Sequence, residues 1–91
     1  MWRDGWKTIA ELGGADKDAH AHFEELLRAN GIPNAIEGSK IYHVFVPDHL
    51  AQEAIALLHA GAQGGNYCIR IVRSIDSDTF VHYGPGATPP S

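Results

Sequence analysis

Along residues 25–58, ELLRANGIPNAIEGSKIYHVFVPDHLAQEAIALL, the spacing of apolar positions changes twice, from helical to alternating and back again. Ala19, Phe23, Leu26 and Leu27 recur at helical spacing, which predicts a helix over residues 16–30 with a single apolar stripe. Asp16 and Asp18 fall in its first turn, where carboxylates complement the helix dipole. Gly31 supplies the left-handed residue that stops a helix, Ile32 can fold back on Leu27, and Pro33 bars continuation. Strands over 34–37 and 40–46 follow, joined by Gly38-Ser39. Glycine first in a two-residue loop predicts a type II′ hairpin turn. That register sets Glu37 opposite Lys40 and Ile36 opposite Ile41, on opposite faces. Pro47 and Asp48 then close the strand and cap a second helix, along which Leu50, Ala54, Leu57 and Leu58 line one side.

The outer elements are shorter. Residues 6–12, WKTIAEL, read as a first strand with Trp6, Thr8, Ala10 and Leu12 on one face, ended by Gly13 and Gly14. Gly61, Gly64 and Gly65 are expected to end the second helix. Residues 67–75, YCIRIVRSI, form a fourth strand, and residues 79–83, TFVHY, can add a short edge strand. The order βαββαβ predicts an α+β fold, a ferredoxin-like two-layer sandwich with two helices on one face of an antiparallel sheet. One domain is expected over residues 1–83, and the tail 84–91, GPGATPPS, is expected to be disordered.

Two helices on one face leave the other bare, and this changes what the hairpin means. Its second strand carries Tyr42, Val44 and Val46 on one face but Ile41, His43 and Phe45 on the other. A strand with one solvated face should alternate apolar with polar. Apolar residues on both faces, repeated at Ile69, Ile71 and Val72, predict that the uncovered face is also covered. Another copy of the chain is the expected cover, with Ile36, Ile41, His43 and Phe45 near the centre of the contact. The alternative is that the fifth strand and the tail fold across it. Trp2 is a candidate anchor, since tryptophan is enriched at interface hot spots.

Composition narrows the partners. A net charge of -4 over 91 residues, with a pI near 5.8, disfavours nucleic acid and anionic membranes, which select basic faces. The nearest approach to a basic patch is Arg70 with Arg73. Cys68 is the single cysteine, which excludes an internal disulfide and suits a reducing compartment. The N-terminus MWRDGWKTIAELGG lacks the apolar core of a signal peptide, so a cytoplasmic location is expected.

The run LLRANGIPNAIEG, then a strand ending in VP, then DHLAQEAIALL, resembles the small bacterial domains classed as prokaryotic signal-transducing proteins. Those domains are thought to share the ferredoxin-like fold of the PII nitrogen regulators. The resemblance covers the central third of the chain and implies a regulatory or partner-binding module. PII proteins carry a long effector loop between their second and third strands and bind nucleotide beside it. Here that connection is Gly38-Ser39, so the resemblance transfers neither nucleotide binding nor any functional residue.

The histidines are the remaining candidates for chemistry: His20, His22, His43, His49, His59 and His82. His20 and His22 are two apart and diverge by about 200° on a helix, unlike the i, i+4 pair of a zinc helix. His49 and His59 share a helix face but lie about three turns apart. No metal site is expected. Mid-strand His43 is either a ligand-binding group or general base in a cleft on the open face, or a half-buried histidine packed at a subunit interface. The serines lie in no nucleophile motif, and GAQGG over residues 61–65 lacks the lysine and hydroxyl of a phosphate loop. Asp76 and Asp78 in SIDSD suit a turn better than a calcium loop. The expectation is a regulatory or binding module with no catalytic residue and no cofactor, a homo-oligomer through the open face, with a further protein partner open. The runner-up is a small dimeric enzyme or ligand carrier using His43 or His82. A structural subunit of a larger complex is a third possibility.

Overall fold

A computed structural model describes residues 5–13, 17–63 and 67–84. The elements follow the expected order: β1 (Trp6–Gly13), α1 (Lys17–Ala29), β2 (Ala35–Gly38), β3 (Ile41–Pro47), a 3₁₀ turn (Asp48–Leu50), α2 (Ala51–Ala62), β4 (Ile69–Val72) and β5 (Phe80–Tyr83). The five strands form one antiparallel sheet in the order β2-β3-β1-β4-β5. This α+β architecture is compatible with a ferredoxin-like sandwich, with β5 added outside β4. No helix among the described residues is long and apolar enough to cross a membrane.

The core lies between the helices and one sheet face. Ala19, Phe23 and Leu27 from α1 and Ala54, Ile55 and Leu58 from α2 meet Ala10, Leu12, Val44, Val46, Ile69 and Ile71, all buried. Tyr42, Val44 and Val46 face the helices, as alternation along β3 requires. The end of α1 is built as its residues dictate. Gly31 takes φ +73°, its amide donates to the Arg28 carbonyl at 3.0 Å, and the Ile32 amide donates to the Leu27 carbonyl at 2.9 Å. These are the two bonds of a Schellman motif, and Ile32 is buried in the same core as Leu27.

Several expectations are corrected. The hairpin is not a two-residue type II′ turn: Gly38 pairs with Tyr42, so Ser39, Lys40 and Ile41 lie between them. Gly38 at φ +155° is needed because a Cβ there would run into the Ile41 carbonyl. This register sets Ile36 opposite Val44, on the helix-covered face, and removes the expected Ile36–Ile41 and Glu37–Lys40 pairs. In β1 the register shifts between Thr8 and Ala10, so Ile9 and Ala10 are consecutive and both fully buried. A bulge of this kind breaks the period of two, and Trp6 and Thr8 do not share a face with Ala10 and Leu12.

Asp48 makes no side-chain cap. Its amide donates to the Gly5 carbonyl at 2.7 Å while Asp48 opens the 3₁₀ turn, and α2 starts at Ala51. Gly61 does not end α2 but lies within it. A Cβ at Gly61 would come within 2.5 Å of Leu26 Cδ2, so glycine lets the two helices approach closely. Strand β4 is less than half the expected length, because the chain turns after Val72 and returns with the Arg73 amide donating to the Thr79 carbonyl at 2.9 Å. Gly14, Asp16, Gly64, Gly65 and the tail beyond Gly84 lie outside the described residues.

Candidate functional site

Strand pairing assembles on the open face a row of residues that are far apart in sequence. Glu37 on β2 is opposite His43 on β3, and His43 is opposite Glu11 on β1. Glu11 is in turn opposite Arg70 on β4, and Arg70 is opposite His82 on β5. Directly opposed residues of an antiparallel sheet point to the same side. One polar side chain from every strand therefore crosses the sheet in a line. Glu11 is its centre: one carboxylate oxygen lies 3.6 Å from His43 Nδ1 and the other 3.6 Å from the Arg70 guanidinium. Glu11 is only 23% exposed, against 43% for His43 and 45% for Arg70. The carboxylate is thus flanked on both sides by groups able to donate to it.

Apolar residues border this row on both sides. Toward one end of the strands lie Ala35, Phe45 and Thr8, with Val72 and Phe80 on β4 and β5. Toward the other, Gly13 pairs with Ile41, which at 46% is the exposed large hydrophobic residue of the described chain. Beside Ile41 the surface dips into a shallow cleft of about 380 Å³, lined by Glu11, Gly13, Cys68, Arg70, His82 and Gly84. Its floor is low because the residues beyond the polar row there are small. A Cβ at Gly84 would approach Cys68 Sγ to 2.9 Å, so glycine lets β5 close on the exposed thiol.

Of the residues expected at the site, Ile41, His43 and Phe45 do share the open face, with the His43 and Phe45 rings 6.4 Å apart. Ile36 is on the other side of the sheet. Trp2 lies outside the described residues. Sequence reasoning missed Glu11 and Arg70, the middle of the row. Alternation along 6–12 and 67–75 marks both as polar positions in strands, but only the order of strands in the sheet makes them neighbours.

The other histidines are largely accounted for by packing. His22 stacks on Tyr67 with ring centroids 4.5 Å apart, and its Nε2 lies 3.3 Å from the Gly61 carbonyl. His20 leans on Tyr42 at 5.3 Å. His59 is a structural clamp that its helical position alone did not reveal. Its Nε2 lies 2.9 Å from the Val72 carbonyl, which can only accept, so Nε2 carries the proton. In the neutral ring Nδ1 then accepts from the Tyr83 hydroxyl at 2.8 Å, tying α2 to β4 and β5. Among the described residues no three His, Cys, Asp or Glu side chains are arranged to hold a metal ion.

The chain was compared with family models, with curated proteins and with solved structures, and no match was found.

Proposed function

We propose that this chain is a small non-catalytic binding module of the regulatory kind, built on a ferredoxin-like βαββαβ sandwich, which docks protein through its open sheet face and in the first instance binds a second copy of itself. The observation that carries this is the polar row with its apolar borders. At a strand spacing of about 4.8 Å, five strands spread Glu37, His43, Glu11, Arg70 and His82 over roughly 19 Å. Catalytic groups have to converge on one reacting atom. A line of this length, with Phe45, Phe80 and Ile41 beside it, has instead the form of an interface, where apolar area supplies affinity and charges fix the orientation. The resemblance over residues 25–58 points the same way.

The test is sedimentation of the wild type and of Phe45→Glu at low micromolar concentration. The expected result is an assembled wild type and a monomeric variant, since a carboxylate in the apolar border is costly to desolvate. A monomeric wild type, or a variant that stays assembled, would sink the proposal. A second reading, a small-ligand carrier, is favoured by the cleft in which Glu11, Arg70 and His82 meet. A saturable rise in melting temperature with small carboxylates, lost in Arg70→Ala, would move the assignment there.

A further inference from the structure

We infer that the second copy docks face to face about a two-fold axis that runs parallel to the strands, between β1 and β4. This rests on the self-docking reading above and goes beyond it by fixing which residues meet. Two copies of one sheet face can stack about an axis lying in the interface, and the contact is then isologous: whatever faces Glu11 in one direction also faces it in the other. The order β2-β3-β1-β4-β5 limits the choices. An axis along β1 sets Glu11 against the partner's Glu11, and an axis along β4 sets Arg70 against the partner's Arg70. An axis across the strands, along the row, sets every charge against its own copy. Like charges set against one another in a buried contact repel strongly, so these arrangements are disfavoured.

Between β1 and β4 the pattern becomes self-complementary at the charged centre and in both borders, while His43 on β3 comes over the partner's His82 on β5. Glu11 faces the partner's Arg70 and Arg70 faces the partner's Glu11. Because Glu11 and Arg70 also touch within one chain, at 3.6 Å, the four groups close into a ring of alternating sign. In the apolar border, Phe45 on β3 comes over the partner's Phe80 on β5. At the other border, exposed Ile41 comes over the partner's Gly84, at the far side of the cleft that Gly13, Cys68 and Gly84 keep open. A protruding side chain and a depression lined by small residues lie at positions that this axis exchanges.

One competitor remains, an axis between β3 and β1. It pairs Glu37 with the partner's Arg70 and His43 with the partner's Glu11, but it leaves β5 overhanging with no strand opposite Phe80. The axis between β1 and β4 leaves β2 overhanging instead. On this face β2 contributes a methyl group at Ala35 and a carboxylate at Glu37, both better suited to water.

Charge-swapped variants test the axis. Glu11→Arg and Arg70→Glu should each weaken self-association by about a hundredfold or more, because each sets like charges against one another across the axis. Mixed in equal amounts, the two variants should form a heterodimer near wild-type affinity, read by sedimentation or native mass spectrometry, since both crossing pairs are again of opposite sign. The double variant carrying both swaps in one chain should dimerise by itself, which keeps the test decisive if a single swap fails to fold. Folded single variants whose mixture stays monomeric, or a monomeric double variant, would overturn the axis while leaving self-association standing. Restoration by mixing Glu37→Arg with Arg70→Glu would overturn it in favour of the axis between β3 and β1. A monomeric wild type would remove both the axis and the self-docking reading beneath it.

Discussion

The two faces of the sheet are made of the same strands and obey opposite rules. On the helix-covered face every described position near the centre is apolar and sealed: Ala10, Leu12, Val44, Val46, Ile69 and Ile71 are at most 2% exposed. On the open face the centre is charged and the apolar residues are displaced to the borders, buried at Val72, half-buried at Phe45 and Phe80 and exposed at Ile41. A face designed only to be covered by its own chain would carry its apolar residues at the centre, where burial is deepest. Among the described residues Ile41 is the large hydrophobic side chain left exposed, and it lies on this face. The open face is thus intermediate in chemistry, as expected of a surface that is wet in one state and covered in another. Under the proposed function, folding energy resides mainly on the helix side of the sheet and recognition on the other, and the following predictions are ways to break that division.

The largest effect is expected deep on the helix side. Phe23 is fully buried and lies edge-on to Tyr67, with ring centroids 5.8 Å apart. Phe23→Ala should cost about 3–5 kcal/mol, the lost transfer energy plus an unfilled cavity. A domain of this length is stable by roughly 5–14 kcal/mol, so chemical denaturation should show a protein near the edge of folding. A loss below about 1 kcal/mol would mean that the helix layer does not hold the fold.

A smaller loss is expected where the helix layer joins the sheet. Gly31→Val forces a β-branched residue into φ +73° and should destabilise by about 1–2 kcal/mol. Nothing lies within 4 Å of where its Cβ would sit, so the cost is one of backbone strain without a clash. Gly31→Asn should recover part of it, because asparagine tolerates the left-handed region. Equal melting of all three proteins would refute the helix end.

This helix end was legible from residues 27–33 because every contact in it is local. So were the element order and the face of Tyr42, Val44 and Val46, which need only a period of two. What failed depended on choices the local sequence leaves degenerate. Gly38-Ser39 fits a two-residue turn, yet the chain uses a three-residue connection, and that slip carried Ile36 from one face to the other. The bulge at Ile9 is invisible in WKTIAEL because isoleucine suits a strand on either face. Glu11, His43 and Arg70 lie on three strands with most of the chain between them, and their alignment exists only once β1 is placed between β3 and β4. Helical spacing places His59 on one face of α2 and says nothing of what it touches. Its two partners come from β4 and β5, whose positions over α2 no spacing rule supplies.

The smallest effect on folding, and the sharpest test of the comparison, is expected at Arg70. Its guanidinium is 45% exposed and 3.6 Å from Glu11, a separation at which exposed ion pairs contribute about 0–1 kcal/mol. Arg70→Gln keeps the length of the stem and removes the charge. In urea, at concentrations dilute enough for the protein to be monomeric, the variant should unfold within about 0.5 kcal/mol of wild type. Assembly stabilises only the folded state, so the wild-type midpoint should climb as protein concentration is raised. The variant should climb less, because the proposed crossing pair with the partner's Glu11 is gone. The gap between the two proteins is therefore expected to open with concentration. A variant already destabilised by about 2 kcal/mol at high dilution would show that Arg70 supports the fold of its own chain, and the division between a folding face and a recognition face would fail at its centre.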